Sequence, residues 1–205
     1  MSKVIEYLGL PAVGKSWQLV NQGYCLKVNA SPRTVPLGGG GEKLRNTWNG
    51  IVHRPKLFAY LLWVTITNPS TFNTKTSIRP IFVVPERIGR RKRILSTHTD
   101  ECIHTDEGAI QFIWRVFYEK KITDRNIKML ELCLKALKVE PDSVVYFHCN
   151  KKKHIERIHL RSKNQPFDQN AIAGNLDDYV RGRTWMSYIL RFLRKNGLRP
   201  SVVAL

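Results

Sequence analysis

Eight residues near the start of the chain restrict what it can fold into more than any other feature. Gly9-Leu10-Pro11-Ala12-Val13-Gly14-Lys15-Ser16 satisfies G-x-x-x-x-G-K-[ST], and it follows the short apolar run Lys3–Leu8 without a break. A run of that length and β-branched content reads as a buried strand. Beyond the pattern, Lys15–Val28 places Trp17, Val20, Tyr24 and Val28 at helical spacing. The glycine-rich stretch therefore stands between a strand and a helix N-terminus, where backbone N–H groups wrap phosphates and the helix adds positive potential. Lys15 is placed to reach β/γ-phosphate oxygens and Ser16 to hold Mg²⁺. ATP and Mg²⁺ are the cofactors this pattern calls for, with contacts expected from Gly9 through Ser16.

The rest of the chain alternates strand and helix patterns. Ala30–Gly41, with Pro32, Pro36 and the run Gly38–Gly41, is expected to be an irregular loop. Pro55 opens a helix with Leu57, Leu61 and Val64 on one stripe, stopped at Asn68-Pro69. In Arg79–Leu95, Pro85 argues against an uninterrupted helix, while Arg87, Arg90, Arg91, Lys92 and Arg93 form a dense basic face. Glu101–Thr105 reads as a strand and Ala109–Lys120 as a helix. Thr123 caps a further helix through Leu137, and Ser143–Cys149 is a buried strand. Lys151–Arg161 reads as a basic helix, Leu176–Lys195 as a long helix ended by Gly197, and Ser201–Leu205 as a last strand. Such alternation implies βαβ units, a mainly parallel sheet with helices on both faces, and a ligand at the carboxyl ends of the strands.

Two further constellations fall near those ends. Asp106, in Asp106-Glu107-Gly108, follows a strand, where a carboxylate orients Mg²⁺ or takes a proton from an attacking hydroxyl; the alternative is a cap on the helix starting near Ala109. Arg157 and Arg161 lie one helical turn apart and project from one face. Paired guanidiniums clamp phosphoryl oxygens, although basic helical faces are also commonly just solvated. A guanine-reading N-K-x-D is excluded at Asn150-Lys151-Lys152-Lys153, because a lysine cannot accept the hydrogen bonds that an aspartate accepts from the base.

Taken in order, the loop pattern, the D-E-G after a later strand and the R-x-x-x-R helix after the next resemble the P-loop nucleoside and nucleotide kinase superfamily, nearest its thymidylate kinase-like and deoxynucleoside kinase-like branch. The resemblance implies an α/β fold, a P-loop NTPase three-layer sandwich with a mainly parallel sheet of about five strands. It implies one kinase-like domain over residues 1–205 with a lid at 150–170. Lys15, Asp106, Arg157 and Arg161 take catalytic positions in that scheme, with Ser16 and Asp106 at the metal. The activity implied is ATP-dependent phosphoryl transfer to a small acceptor, such as a nucleoside, nucleotide or phosphorylated sugar.

Charge supplies the competing reading. Lys and Arg number 34 against 16 Asp and Glu, a net +18, so the surface should attract anions. An ATP-regulated basic binding protein for nucleic acid or an anionic membrane surface is the alternative to a kinase. Hydrophobic residues at 42% and charged residues at 24% exclude a disordered or collagen-like chain. Cys25, Cys102, Cys133 and Cys149 show no metal spacing and read as reduced, mostly buried thiols. No leader pattern is expected at the N-terminus, and Leu57–Ile66 is too short for a bilayer that asks for about 20 residues, so a cytoplasmic location is expected.

Overall fold

A computed structural model describes residues 3–10, 13, 40–67, 79–97, 102–105, 108–118, 120–138, 142–164 and 176–205. Strand β1 (Lys3–Leu8) forms where the sequence is apolar and β-branched. Its alternation sets the two faces of the sheet. Val4, Glu6 and Leu8 point one way, all buried, while Ile5 and Tyr7 point the other. Strand β1 pairs with β2 (Cys102–Thr105) on one side and with β3 (Ser143–His148) on the other, both parallel; β4 (Ser201–Ala204) adds parallel to β3. The order is β2-β1-β3-β4. Asp142 fixes the β1/β3 register from outside the ladder, because its Oδ2 accepts from the Val4 N–H at 2.7 Å while its own N–H donates to the Val4 carbonyl at 2.9 Å.

Seven helices are found among the described residues: α1 (Gly40–His53), α2 (Pro55–Ile66), α3 (Arg79–Thr97), α4 (Ala109–Tyr118), α5 (Asp124–Leu137), α6 (Lys151–Asn164) and α7 (Leu176–Lys195). Helix α4 is the hub. Ile110, Phe112, Ile113, Trp114, Val116, Phe117 and Tyr118 are all buried, which is the signature of a helix surrounded on every side. It packs against β1, α2, α3, α5 and α7. Two indole bonds staple α7 to this region, Trp114 Nε1 to the Gly182 carbonyl at 3.0 Å and Trp185 Nε1 to the Lys120 carbonyl at 3.1 Å. Gly182 permits the approach, since a Cβ there would stand 2.8 Å from the Tyr118 ring. One large hydrophobic cluster joins α2, α3, α4, α5 and α7 to the Leu8 and Val144 face of the sheet. The opposite face buries Tyr7, Val13, Phe147 and Cys149, with the Tyr7 and Phe147 rings stacked at 5.6 Å.

This arrangement corrects the expected fold class. The described residues are 72% helical, and their sheet has fewer than the about five strands of a P-loop NTPase three-layer sandwich. Strict alternation breaks between Gly40 and Thr97, where three helices follow one another without a described strand between them. The main described helical layer sits on one face of the sheet and is built around α4. Two local readings are corrected as well. Gly40 and Gly41 belong to the first turn of α1 and not to an irregular loop; the cost of glycine in a helix, about 1 kcal/mol each, is outweighed by the rest of the helix. Helix α3 runs through Pro85. Its buried Ile81, Val84 and Ile88, together with a close crossing of α1, hold a turn that the missing N–H would otherwise weaken. At that crossing Gly50 lies against the Pro85 carbonyl and Gly89 against that of Asn46, so the two backbones touch with no side chain between them. Arg93 and Glu42 extend the same contact as an ion pair.

Candidate functional site

In the order β2-β1-β3-β4, the chain crosses from β1 to one neighbour and then back over it to the other. Loops leaving the carboxyl ends of β1 and β3 must therefore part in opposite directions, and the crevice between them is where open parallel sheets bind ligands. The glycine-rich pattern begins at this crevice. Gly9 follows β1 directly and is buried; a Cβ on it would meet the Phe147 carbonyl at 2.6 Å, so only glycine lets β1 exit alongside β3. The Val13 N–H donates to the Leu10 carbonyl at 3.3 Å, which turns the chain. Leu10 and Val13 then anchor the turn in the two separate hydrophobic clusters.

A buried polar chain ties this exit to α4. Glu6, only 3% exposed, accepts from the Gln111 N–H at 2.9 Å, and the Gln111 side-chain oxygen accepts from the Gly9 N–H at 3.2 Å. Gln111 is the third residue of α4, so the Glu6 carboxylate occupies the place of an N-cap contributed by a strand and meets the positive end of the helix dipole. Gly108 is glycine because a Cβ would run into that carboxylate.

From the β3 side, Cys149 directly follows the strand and Asn150 caps α6, its Oδ1 accepting from the Lys153 N–H at 2.9 Å. The capping role explains an Asn-Lys dipeptide after a strand without any guanine reading. Helix α6 then sends Arg157 back to the glycine-rich turn, where Nη1 donates to the Val13 carbonyl at 2.7 Å. The His154 ring lies tilted against that of Tyr179 of α7, and its Nδ1 is 3.8 Å from the Cys149 sulfur. The Tyr179 hydroxyl donates to the Cys149 carbonyl at 3.3 Å and receives Arg183 Nη1 at 3.2 Å. Burial pushes the Cys149 thiol up from its ordinary range, and the positive charges of Arg157, Lys153 and Arg183 oppose it. Burial likewise raises the Tyr146 phenol, against the charge of Arg183 and a hydrogen bond from it. Three cations thus act on the end of one strand.

Of the residues singled out from sequence, the structure brings together Gly9, Leu10, Val13 and Arg157. Pro11, Ala12, Gly14, Lys15, Ser16 and Asp106 lie outside the described residues, as does the helix read at Lys15–Val28. Arg161 falls within α6, one turn beyond Arg157, and its side chain is not described. The cap alternative weighed for Asp106 meets a competitor, because Glu6 already holds the Gln111 N–H. Glu6, Gln111 and Tyr179 were not singled out from sequence. Glu6 had a signal, a lone acid inside an apolar strand; the other two had none. Arg157 is the cation placed on the glycine-rich turn, and the charges of Lys153 and Arg183 act with it on Cys149 just past β3, a positive setting that suits an anion. Among the described residues no group of three His, Cys, Asp or Glu side chains gathers as a metal centre would require, and both Mg²⁺ positions expected from sequence fall outside them. None of the described helices is long and apolar enough to cross a membrane. Compared with known proteins, the chain matches no family model and no curated sequence.

Proposed function

We propose that this chain is an ATP-dependent phosphotransferase acting on a small acceptor, such as a nucleoside, nucleotide or phosphorylated sugar. The observation that carries the reading is the Arg157 bond to the Val13 carbonyl at 2.7 Å. A guanidinium 144 positions along the chain is held against the very turn whose sequence is built to wrap phosphates. In this reading Gly9 through Ser16 cradle the β- and γ-phosphates, Lys15 neutralises their charge and Ser16 and Asp106 hold Mg²⁺. Bound there, Mg²⁺ would supply charge neutralisation for the transferring phosphoryl group. Asp106 takes the acceptor proton. Arg157 exchanges its carbonyl partner for a phosphoryl oxygen, and Arg161 joins it from the same helical face. Little covalent chemistry is asked of the protein; positioning and charge neutralisation do the work.

Transfer from γ-labelled ATP, assayed against a panel of nucleosides, nucleotides and sugar phosphates, tests the reading. Labelled product with one acceptor class, lost by orders of magnitude in Arg157→Ala in line with the ~10³–10⁵ value of arginine fingers, is the expected result. Turnover stimulated only by polynucleotide or lipid, with no small acceptor labelled, would replace the kinase with a nucleotide-regulated binding protein.

A further inference from the structure

Helices α1 and α2 each bury one face and leave a second apolar face in water. On α1, Asn46 and Gly50 pack on α3, while Leu44, Trp48 and Val52, spaced by four on the opposite side, are 73%, 68% and 57% exposed. On α2, Leu57, Leu61 and Val64 enter the core, and Leu62, Trp63 and Ile66 stand 41%, 54% and 59% exposed with Ala59 on the same stripe. A helix apolar on all sides is ordinarily enclosed. Helix α2 carries one charged residue, Lys56, yet Leu62, Trp63 and Ile66 remain exposed. Single exposed hydrophobes need no explanation, whereas two consecutive helices with outward stripes containing a tryptophan each do.

The surrounding charge selects the occupant. Lys43 and Arg45 flank the α1 stripe and Lys56 opens α2, all exposed, and the one acid of α1, Glu42, is engaged by Arg93. Apolar residues with Trp on one side of a helix and Lys or Arg along its borders match a helix lying in a lipid interface, where basic residues are attracted to an anionic leaflet. Pairing with a second copy would bring two chains of +18 together along their basic borders. Nucleic acid would satisfy the lysines and stack on tryptophan, but it offers nothing to Leu44, Val52, Leu62 and Ile66. We infer that the outward faces of α1 and α2 dock on an anionic lipid surface, with Trp48 and Trp63 entering the headgroup region. The proposal is independent of the kinase reading.

Co-sedimentation of the full chain with phosphatidylcholine vesicles, with and without phosphatidylserine, tests it alongside tryptophan emission. Trp114 and Trp185 are fully buried and Trp17 lies outside the described residues, so the part of a blue shift that is lost in Trp48→Ser/Trp63→Ser reports the exposed Trp48 and Trp63. The expected result is capture by the anionic vesicles with a blue shift, weakened at least about tenfold in Trp48→Ser/Trp63→Ser and likewise in Lys43→Glu/Arg45→Glu, with circular dichroism unchanged. Equal capture by neutral vesicles, capture that the tryptophan pair leaves unaltered, or no capture overturns the proposal. So does a concentration-dependent dimer that Trp63→Ser dissociates, or oligonucleotide binding that the tryptophan pair abolishes.

Discussion

Glu6 shows how one buried charge can organise two elements. Its carboxylate stands at the N-terminus of α4 and, through Gln111, fixes the N–H of Gly9 where the phosphate-binding pattern begins. Glu6→Ala leaves the Gln111 N–H in the interior without this acceptor and should cost about 1–3 kcal/mol in denaturant unfolding. Glu6→Gln retains an acceptor oxygen and loses only the charge. The account expects it to be the milder of the two, and equal losses would refute the capping role. Cys133 gives a prediction in pH. Burial pushes its thiol up from 9.0 to about 12, so above pH 9 the unfolded chain releases a proton that the folded chain keeps. A raised acid pKa contributes full stability below the unfolded value and loses it as pH rises, by up to about 1.4 kcal/mol per pH unit. Comparing melting curves of the wild type and Cys133→Ala from pH 7 to about 10.5 should therefore show the gap between them narrowing above pH 9. A constant gap would place the thiol in contact with water.

Among the elements, α5 is the one whose ends the sequence states most completely. Thr123 accepts from the Asn126 N–H at 3.2 Å, and Lys138 closes the helix in the left-handed region at φ 56°. Replacing Thr123 with Ala should cost about 1 kcal/mol of global stability, and no change in the chemical denaturation midpoint would mean the cap is satisfied otherwise. The α1/α3 crossing rests on a different principle, because glycine there permits backbone contact. Gly50→Val forces a side chain into the Pro85 carbonyl and should destabilise by at least about 1–3 kcal/mol, while the same change at Gly40, where nothing lies nearby, should be close to neutral by comparison. The two helices also mark where local reading fails. Pro85 and Gly40 carry strong breaking signals over a few residues, yet burial of Ile81, Val84 and Ile88 and a long-range crossing outweigh them. Where the determinants are themselves local, as with Pro55, Thr123, Gly197 and the apolar runs of β1 and β3, the elements fall where the sequence places them.

At the scale of the molecule, the described residues form a four-stranded parallel sheet that carries a helical mass centred on α4, and the reversal of strand order at β1 parts the chains leaving β1 and β3 where Arg157 reaches the Val13 carbonyl. The motif and the strand–helix alternation put the candidate site at the carboxyl ends of the strands. The extra helices were not legible, because nothing local in residues 40–97 announces three helices with no described strand between them. Tyr179 was invisible for a similar reason: it reaches the Cys149 carbonyl from α7, whose spacing reports only that one face is core. The central claim is that the glycine-rich turn after β1 binds the phosphates of ATP beside Arg157. Isothermal titration of ATP-Mg²⁺ into the wild type, Lys15→Ala and Arg157→Ala tests it most directly. Saturable binding to the wild type is predicted, weakened at least about tenfold in Lys15→Ala with the circular dichroism unchanged, as loss of a charge-assisted phosphate contact requires. No binding by the wild type, or equal affinity in the wild type and Lys15→Ala, would contradict it.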